Sequence, residues 1–266
     1  MPEGDTLHNL AARLRPVLVG KALTRCDIRV PRYATVDLAG RNVDAVSARG
    51  KHLLIAVGEL TLHSHLKMEG QWHLYRPGER WRRPGHTARA VLAVDDAQVV
   101  GFSLGLLEVL RTDAVDAALA YLGPDPLGPD WDARRAAANL ASDPSRPVGL
   151  ALLDQRNLAG VGNVYRNELC FLRGVHPATP VAECGDLLPW ADEAARLLRA
   201  NLGRTLRMTT DVDRNGMRAF VYNRARRPCL RCGTTIAAGG LGGGADDERS
   251  IWWCPRCQPP ADSQEQ

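Results

Sequence analysis

Four of the chain's seven cysteines fall at a metal-binding spacing. Cys229-Leu-Arg-Cys232 and Cys254-Pro-Arg-Cys257 stand 21 residues apart. Two such knuckles, one on each of two hairpins, can present four thiolates to a single Zn²⁺. Four protein ligands leave no open position for substrate, so the metal expected here is structural. Disulfides are the competing use of these thiols, but they belong to oxidising compartments. Cys26, Cys170 and Cys184 are scattered and read as ordinary buried or partly buried thiols. At the other end of the chain, removal of Met1 would expose Pro2-Glu3-Gly4. An amino-terminal proline is a secondary amine that can attack an aldehyde-like carbon to give an iminium. Glu3 beside it could protonate a leaving oxygen or shuttle protons. Arg49-Gly50-Lys51-His52 marks a turn before an apolar strand, where Lys51 could hold a phosphate or act as an amine nucleophile. The string LDQRNLAGVGNVY at 153–165 ends one apolar helix and opens another. Gly160 and Gly162 would let the backbone turn sharply and approach a ligand closely. The first-turn N–H groups of the second helix, with the Asn163 side chain, would form a phosphate site. Arg249, five residues before Cys254, could be held by the metal hairpin so as to grip a phosphate or a flipped base.

These residues need elements to position them. Leu7, Leu10, Ala11, Leu14, Val17 and Leu18 recur at helical spacing and predict a helix over 5–18, with Pro2 and Asp5 just before it. Short alternating or apolar runs at 22–30, 43–48, 52–58, 60–66, 71–75, 88–95 and 97–103 predict an antiparallel sandwich. The Pro/Gly-rich break GPDPLGPD at 123–130 reads as a linker. Helices are expected at 132–141, 148–156, 163–172 and 187–203. Short strands should follow from 216 and flank the knuckles, with a flexible tip at 237–247. The fold class expected is α+β: an amino-terminal β-sandwich domain with a leading helix over 1–122, a helical domain over 131–218 and a zinc-ribbon hairpin over 219–258. A large ligand would sit in a cleft between two such units.

Composition narrows the function classes. In 266 residues, 45% hydrophobic and 24% charged, there is no uncharged apolar run of membrane-spanning length. The first residues carry acids where a signal peptide carries bases. The expectation is a cytoplasmic protein with no membrane partner. Net charge is +4, and its distribution is uneven: 1–203 carries +1, 204–257 carries +5 and the tail −2. A basic carboxyl-terminal third of this kind suits a polyanion. Of 34 basic residues only Lys21, Lys51 and Lys67 are lysines.

Taken together, the chain resembles the formamidopyrimidine-DNA glycosylase/endonuclease VIII family of base-excision repair enzymes. The resemblance rests on Pro2-Glu3-Gly4, the Arg49-Gly50-Lys51 turn, Ser64-His65-Leu66-Lys67-Met68-Glu69-Gly70, the 153–165 string, and Cys229–Cys257 with Arg249, in the family's order. It implies a bifunctional glycosylase/AP lyase acting on damaged DNA as a monomer in the bacterial cytoplasm, on the nucleoid. The damaged nucleotide would be rotated out of the duplex. Pro2 would form a Schiff base at C1′ with help from Glu3, and β- and δ-elimination would cleave the strand. By resemblance Lys51, Asn163 and Arg249 bind phosphates around the lesion, Gly162 opens the helix–two-turn–helix site, and Met68, flanked by Lys67, fills the vacated stack. Cys229, Cys232, Cys254 and Cys257 would hold one zinc ion. The departures bear on substrate. Thr6 stands where a carboxylate is frequent, and Asn223 and Arg226 stand where glycines are common. The sequence DDAQVVGFSLG at 95–105 lacks the Asp-Pro-Arg-Arg-Phe-Gly loop of the 8-oxoguanine branch. The endonuclease VIII branch, acting on oxidised pyrimidines and abasic sites, is therefore the expected one.

Overall fold

The computed structural model describes residues 2–242 and 249–260, with Arg249 described by its backbone alone. The chain divides into two compact units, Pro2–Tyr121 and a second beginning at Leu122. The first unit opens with helix α1 (Gly4–Leu18). Eight strands follow: β1 (Arg25–Ile28), β2 (Ala45–Arg49), β3 (His52–Val57), β4 (Leu60–His65), β5 (Gln71–Tyr75), β6 (Ala88–Val94), β7 (Ala97–Phe102) and β8 (Leu106–Arg111). They form two antiparallel four-stranded sheets, ordered β1-β6-β7-β5 and β2-β3-β4-β8. The core lies between the sheets and under the helix. Leu7, Leu10, Leu14 and Leu18 of α1 meet Leu53, Ile55, Val57 and Leu62 of one sheet and Leu92, Val94 and Val99 of the other. The period of 3.6 along α1 and of 2 along the strands bring these aliphatic sets to common faces. A short helix, α2 (Val115–Ala118), follows β8.

In the second unit, α3 (Ala133–Leu140), α4 (Val148–Ala151), α5 (Asn163–Leu172) and α6 (Leu188–Ala200) pack around Trp190, Leu169, Leu197, Leu158 and Val161. The hairpin of β9 (Ala237–Leu241) and β10 (Arg249–Trp253) pairs Leu241 with Arg249 and Ala237 with Trp253. Its own small core is Phe171, Val221, Cys229, Ile236 and Cys254.

Several boundaries differ from the sequence expectation for identifiable reasons. Strand β8 was not anticipated, because Leu106 and Leu110 on its outward positions blur the alternation that Leu107 and Val109 carry inward. The helix expected over 148–156 stops at Ala151, where the Asn157 side-chain amide donates to the Ala151 carbonyl at 3.1 Å. Asp154 begins a different structure, bonded to Arg156 at 2.6 Å and Arg146 at 2.8 Å. These two guanidiniums hold its carboxyl well below the usual range. The expected tip at 237–247 is strand as far as Leu241, and 243–247 lie outside the described residues.

Candidate functional site

The start of the chain is fixed by α1. Glu3, not Asp5, is its N-cap, and the capping box is the usual one with its residue types exchanged. The Glu3 carboxylate accepts the backbone N–H of Thr6, while the Thr6 hydroxyl accepts the backbone N–H of Glu3 at 3.2 Å. Glu3 is wholly buried, and Pro2, directly outside the cap, is half-buried.

Lys51 sits in the turn between β2 and β3, as its Arg-Gly-Lys-His setting predicts, and Gly50 takes φ +54° to make that turn. The segment after β4 makes a second tight turn, closed by the Gly70 N–H donating to the Leu66 carbonyl at 2.9 Å. A Cβ on Gly70 would lie 2.5 Å from that same carbonyl oxygen, so this turn needs glycine. Lys67 is left-handed at φ +50°, its N–H donates to His65 Nδ1 at 2.9 Å, and its stem lies against Gly105. Met68 is left at the tip with 70% of its surface exposed, an unusual position for a large apolar side chain. Lys51 and His65 belong together electrostatically. Burial, then Lys51, then Lys67 push the His65 imidazole down to about 4, so it is neutral at pH 7.

In the second unit the 153–165 string is a stapled turn. The Gln155 side chain accepts the Gly160 N–H at 3.0 Å and donates to the Val161 carbonyl at 3.0 Å. Only Gly160 has a positive φ, +88°. Gly162 is the N-cap of α5 in extended backbone that any residue adopts, so the turn depends on the first of the two glycines. Asn163 opens α5, and its side-chain amide donates to the Ser250 carbonyl at 3.1 Å. Buried Arg166 donates to the Asn163 side-chain oxygen and, at 3.0 Å, to the same Ser250 carbonyl. Asn167 accepts the Trp252 N–H at 2.9 Å. One turn of α5 is thus stitched to β10, the strand that carries Arg249 opposite Leu241. The Arg249 side chain itself lies outside the described residues. Buried Glu168, on the same helix, accepts the N–H groups of Phe220, Val221 and Tyr222 at 2.7–2.9 Å and the Thr209 hydroxyl. Arg166, Asn167 and Glu168 were not singled out from sequence. Their role depends on what they face, and only the Asn-x-x-Arg-Asn-Glu run after the Gly-x-Gly turn hints at it.

The four knuckle sulfurs lie within 4.8 Å of one another, with Cys232 to Cys254 at 3.4 Å and Cys232 to Cys257 at 3.5 Å. A tetrahedron with metal–sulfur bonds of about 2.3 Å has sulfur–sulfur edges of about 3.8 Å, and a disulfide is far shorter. The Arg231 and Cys257 N–H groups donate to Cys229 Sγ and Cys254 Sγ, both at 3.4 Å, as in a metal knuckle. Four clustered cysteines of this geometry could hold one metal ion.

Models of two domains of one family match the chain: the formamidopyrimidine-DNA glycosylase N-terminal domain over residues 1–103 and its H2TH domain over 122–220. A protein of Streptomyces coelicolor described as a probable endonuclease 8 2 is 54% identical, over 97% of this chain and 94% of that one. A Mycolicibacterium smegmatis protein named DNA-(apurinic or apyrimidinic site) lyase Nei2 is 53% identical, over 97% and 99%. The chain belongs to the formamidopyrimidine-DNA glycosylase/endonuclease VIII family. The crystal structure of the Lactococcus lactis formamidopyrimidine-DNA glycosylase, bound to DNA containing an AP site, shares its fold with a TM-score of 0.81 at 23% identity over 97% and 99% of the two chains. Within this glycosylase family, the departure at Thr6 has a local explanation, and that at Arg226 has none. Thr6 supplies the second half of the capping box. Asn223 and Arg226, at positions where glycine is common, keep left-handed backbone at φ +55° and +65°. Asparagine tolerates that conformation, and it is strained for arginine.

Proposed function

We propose that Pro2, freed of Met1, is the amine of a DNA glycosylase and AP lyase that excises oxidised bases, pyrimidines preferred. Membership of the family makes the chain a base-excision repair glycosylase/AP lyase. The observation that carries the residue-level reading is the rigid start of the chain: Glu3, buried and locked as the cap of α1, holds Pro2 immediately outside the helix. There the positive end of the helix favours the neutral amine over the ammonium. Pro2 N attacks the sugar C1′ and the bond from C1′ to the base breaks. Glu3 delivers a proton to the ring oxygen as the sugar opens to an iminium. Loss of a C2′ proton then expels the 3′ phosphate. A second elimination expels the 5′ phosphate, and water releases the amine, leaving a one-nucleotide gap. Lys51, Asn163 and Arg249 hold phosphates around the extruded nucleotide, with Gly162 leading into the first turn of α5. Met68 fills the vacated stack beside Lys67, which its exposure at the tip of a tight turn supports. One structural zinc on Cys229, Cys232, Cys254 and Cys257 fixes the hairpin that carries Arg249. The partner is damaged DNA, met by a monomer in the cytoplasm. No helix among the described residues is long and apolar enough to cross a membrane. The pyrimidine preference is supported by relatives named endonuclease 8 2 at 51–54% identity, against 29–32% for those named formamidopyrimidine-DNA glycosylase.

Borohydride trapping on an abasic-site oligonucleotide, with peptide mapping of the adduct, tests the nucleophile. The adduct is expected at Pro2. An adduct at Lys51 would move the nucleophile, and no adduct would remove lyase chemistry from the chain. Lys51→Ala tests the clamp: binding should weaken and the slope of log K against log salt should fall by about one ion. An unchanged slope would take Lys51 off the phosphate.

A further inference from the structure

The sheet β2-β3-β4-β8 has two unlike faces. Leu53, Ile55, Leu62 and Leu107 point into the core. On the opposite face the register sets Arg49 beside His52, His52 beside His65, and His63 beside Glu108. His52 and His63 are nevertheless buried, and polar groups so placed must be hydrogen-bonded to be tolerated. They are. His63 Nδ1 lies 2.8 Å from Glu108 Oε1, His63 Nε2 lies 2.7 Å from His52 Nδ1, and His52 Nε2 lies 3.0 Å from the Tyr121 hydroxyl. The segment ending at Tyr121 is tied to the same face by Thr112 to Thr61 at 3.0 Å and Asp116 to Arg49 at 3.2 Å.

With Glu108 accepting, His63 donates from Nδ1, and the rest of the chain is set by whether His63 carries a second proton on Nε2. With Nε2 bare, His63 accepts from the Nδ1–H of His52, and His52 Nε2 accepts the Tyr121 O–H. Burial, then the neighbouring His63, His65, Lys51 and Arg49, push the His52 imidazole down to about 3, so it does not hold a charge. In this arrangement the Tyr121 oxygen offers only lone pairs outward, although 51% of the residue is exposed. Tyr121 reaches His52 through its hydroxyl, Lys51 precedes His52 in sequence, and the His65 ring lies 5.1 Å from that of His52. The other charged groups around the stripe are Arg49, paired with Asp116, and Lys67, which acts on His65.

We propose that Tyr121 is a further DNA-backbone contact beside Lys51, and that Glu108, His63 and His52 are positioning residues that turn its hydroxyl outward when a phosphate arrives. This inference rests on the reading of Lys51 as a phosphate clamp. The turn takes up one proton. The Tyr121 oxygen gains a proton from solvent, its former hydroxyl proton moves to His52 Nε2, and the Nδ1 proton of His52 moves to His63 Nε2. His63 becomes an imidazolium paired with the Glu108 carboxylate, and the new Tyr121 O–H donates to a phosphate oxygen.

The test is binding of the full-length protein to a duplex carrying a tetrahydrofuran abasic analogue, which cannot be cleaved. Calorimetry at pH 6–8 in two buffers of different ionisation enthalpy counts the protons taken up. Tyr121→Phe keeps the ring and should bind several-fold more weakly, take up about one proton fewer than the wild type, and keep the same salt slope, because a neutral donor displaces no counterion. His63→Gln should lose the same proton. Lys51→Ala should instead lose salt slope and keep the proton. Wild-type affinity and proton count in Tyr121→Phe would overturn the proposal. So would a lowered Tm with an unchanged proton count, the signature of a merely structural tie. Absence of binding by the wild type at every pH would instead overturn the phosphate-clamp reading, and this proposal with it.

Discussion

A chain that keeps Met1 is expected to lose strand cleavage altogether, because Pro2 nitrogen is then an amide with no lone pair to offer. No borohydride adduct should form, and cleavage of an abasic-site duplex should fall to the uncatalysed level. DNA affinity should survive, since Lys51, Asn163 and the hairpin are untouched. Cleavage at the normal rate by protein shown by mass to retain Met1 would refute Pro2 as nucleophile. Glu3→Gln separates the two neighbouring roles. The glutamine is isosteric, and its carbonyl oxygen can still accept the Thr6 N–H, so α1 keeps its cap and the stability change should stay within about 1 kcal/mol. What is lost is the transferable proton, and removal of a positioned general acid slows the step it serves by about 10²–10⁴-fold. Excision of an oxidised base from duplex should slow by that factor with Tm nearly unchanged. A variant that excises normally would reduce Glu3 to a helix cap.

The two knuckles were legible because metal ligation depends on residue type and short spacing. The sandwich was legible because short apolar runs such as β3 and β4 stand between Gly and charged turns. Helix α5 begins and ends at 163 and 172 as expected, since Gly162 and Asn163 mark its start within a recognisable string. The histidine stripe was not legible. His52, His63, Glu108 and Tyr121 are spread over 70 residues; the β3-β4-β8 register puts the first three on one face, and the segment after β8 brings Tyr121 to His52. The same holds for Arg166, which reads as a charged position in an amphipathic helix and proves wholly buried. Pairings that depend on register or on packing between distant elements leave no local signature in the chain.

Removing the metal is expected to have the largest effect on the second unit. The hairpin core has five buried residues, two of them the knuckle cysteines Cys229 and Cys254. So small an apolar set cannot hold four neighbouring thiols in place by itself. Burial raises the Cys254 and Cys257 thiols while hydrogen bonds from Thr234 lower that of Cys232, so without a cation the four do not ionise as a set. Structural zinc sites contribute about 10–16 kcal/mol in apparent binding, as much as the whole stability of an ordinary domain, about 5–15 kcal/mol. Stripping the ion with a strong chelator should therefore open the residues from about 220 to 258 to proteolysis while the sandwich of Pro2–Tyr121 keeps its protection. The loss should reach α5 as well. Asn163 and Arg166 bond to the Ser250 carbonyl and Asn167 to the Trp252 N–H, so a melted hairpin releases the helix turn proposed to hold phosphate. DNA affinity should then fall further than loss of Arg249 alone would lower it, and Arg249→Ala with zinc retained gives that comparison. Equal losses in the two experiments would mean that α5 keeps its geometry without the hairpin. Undiminished affinity after complete metal loss would mean that the hairpin takes no part in holding DNA.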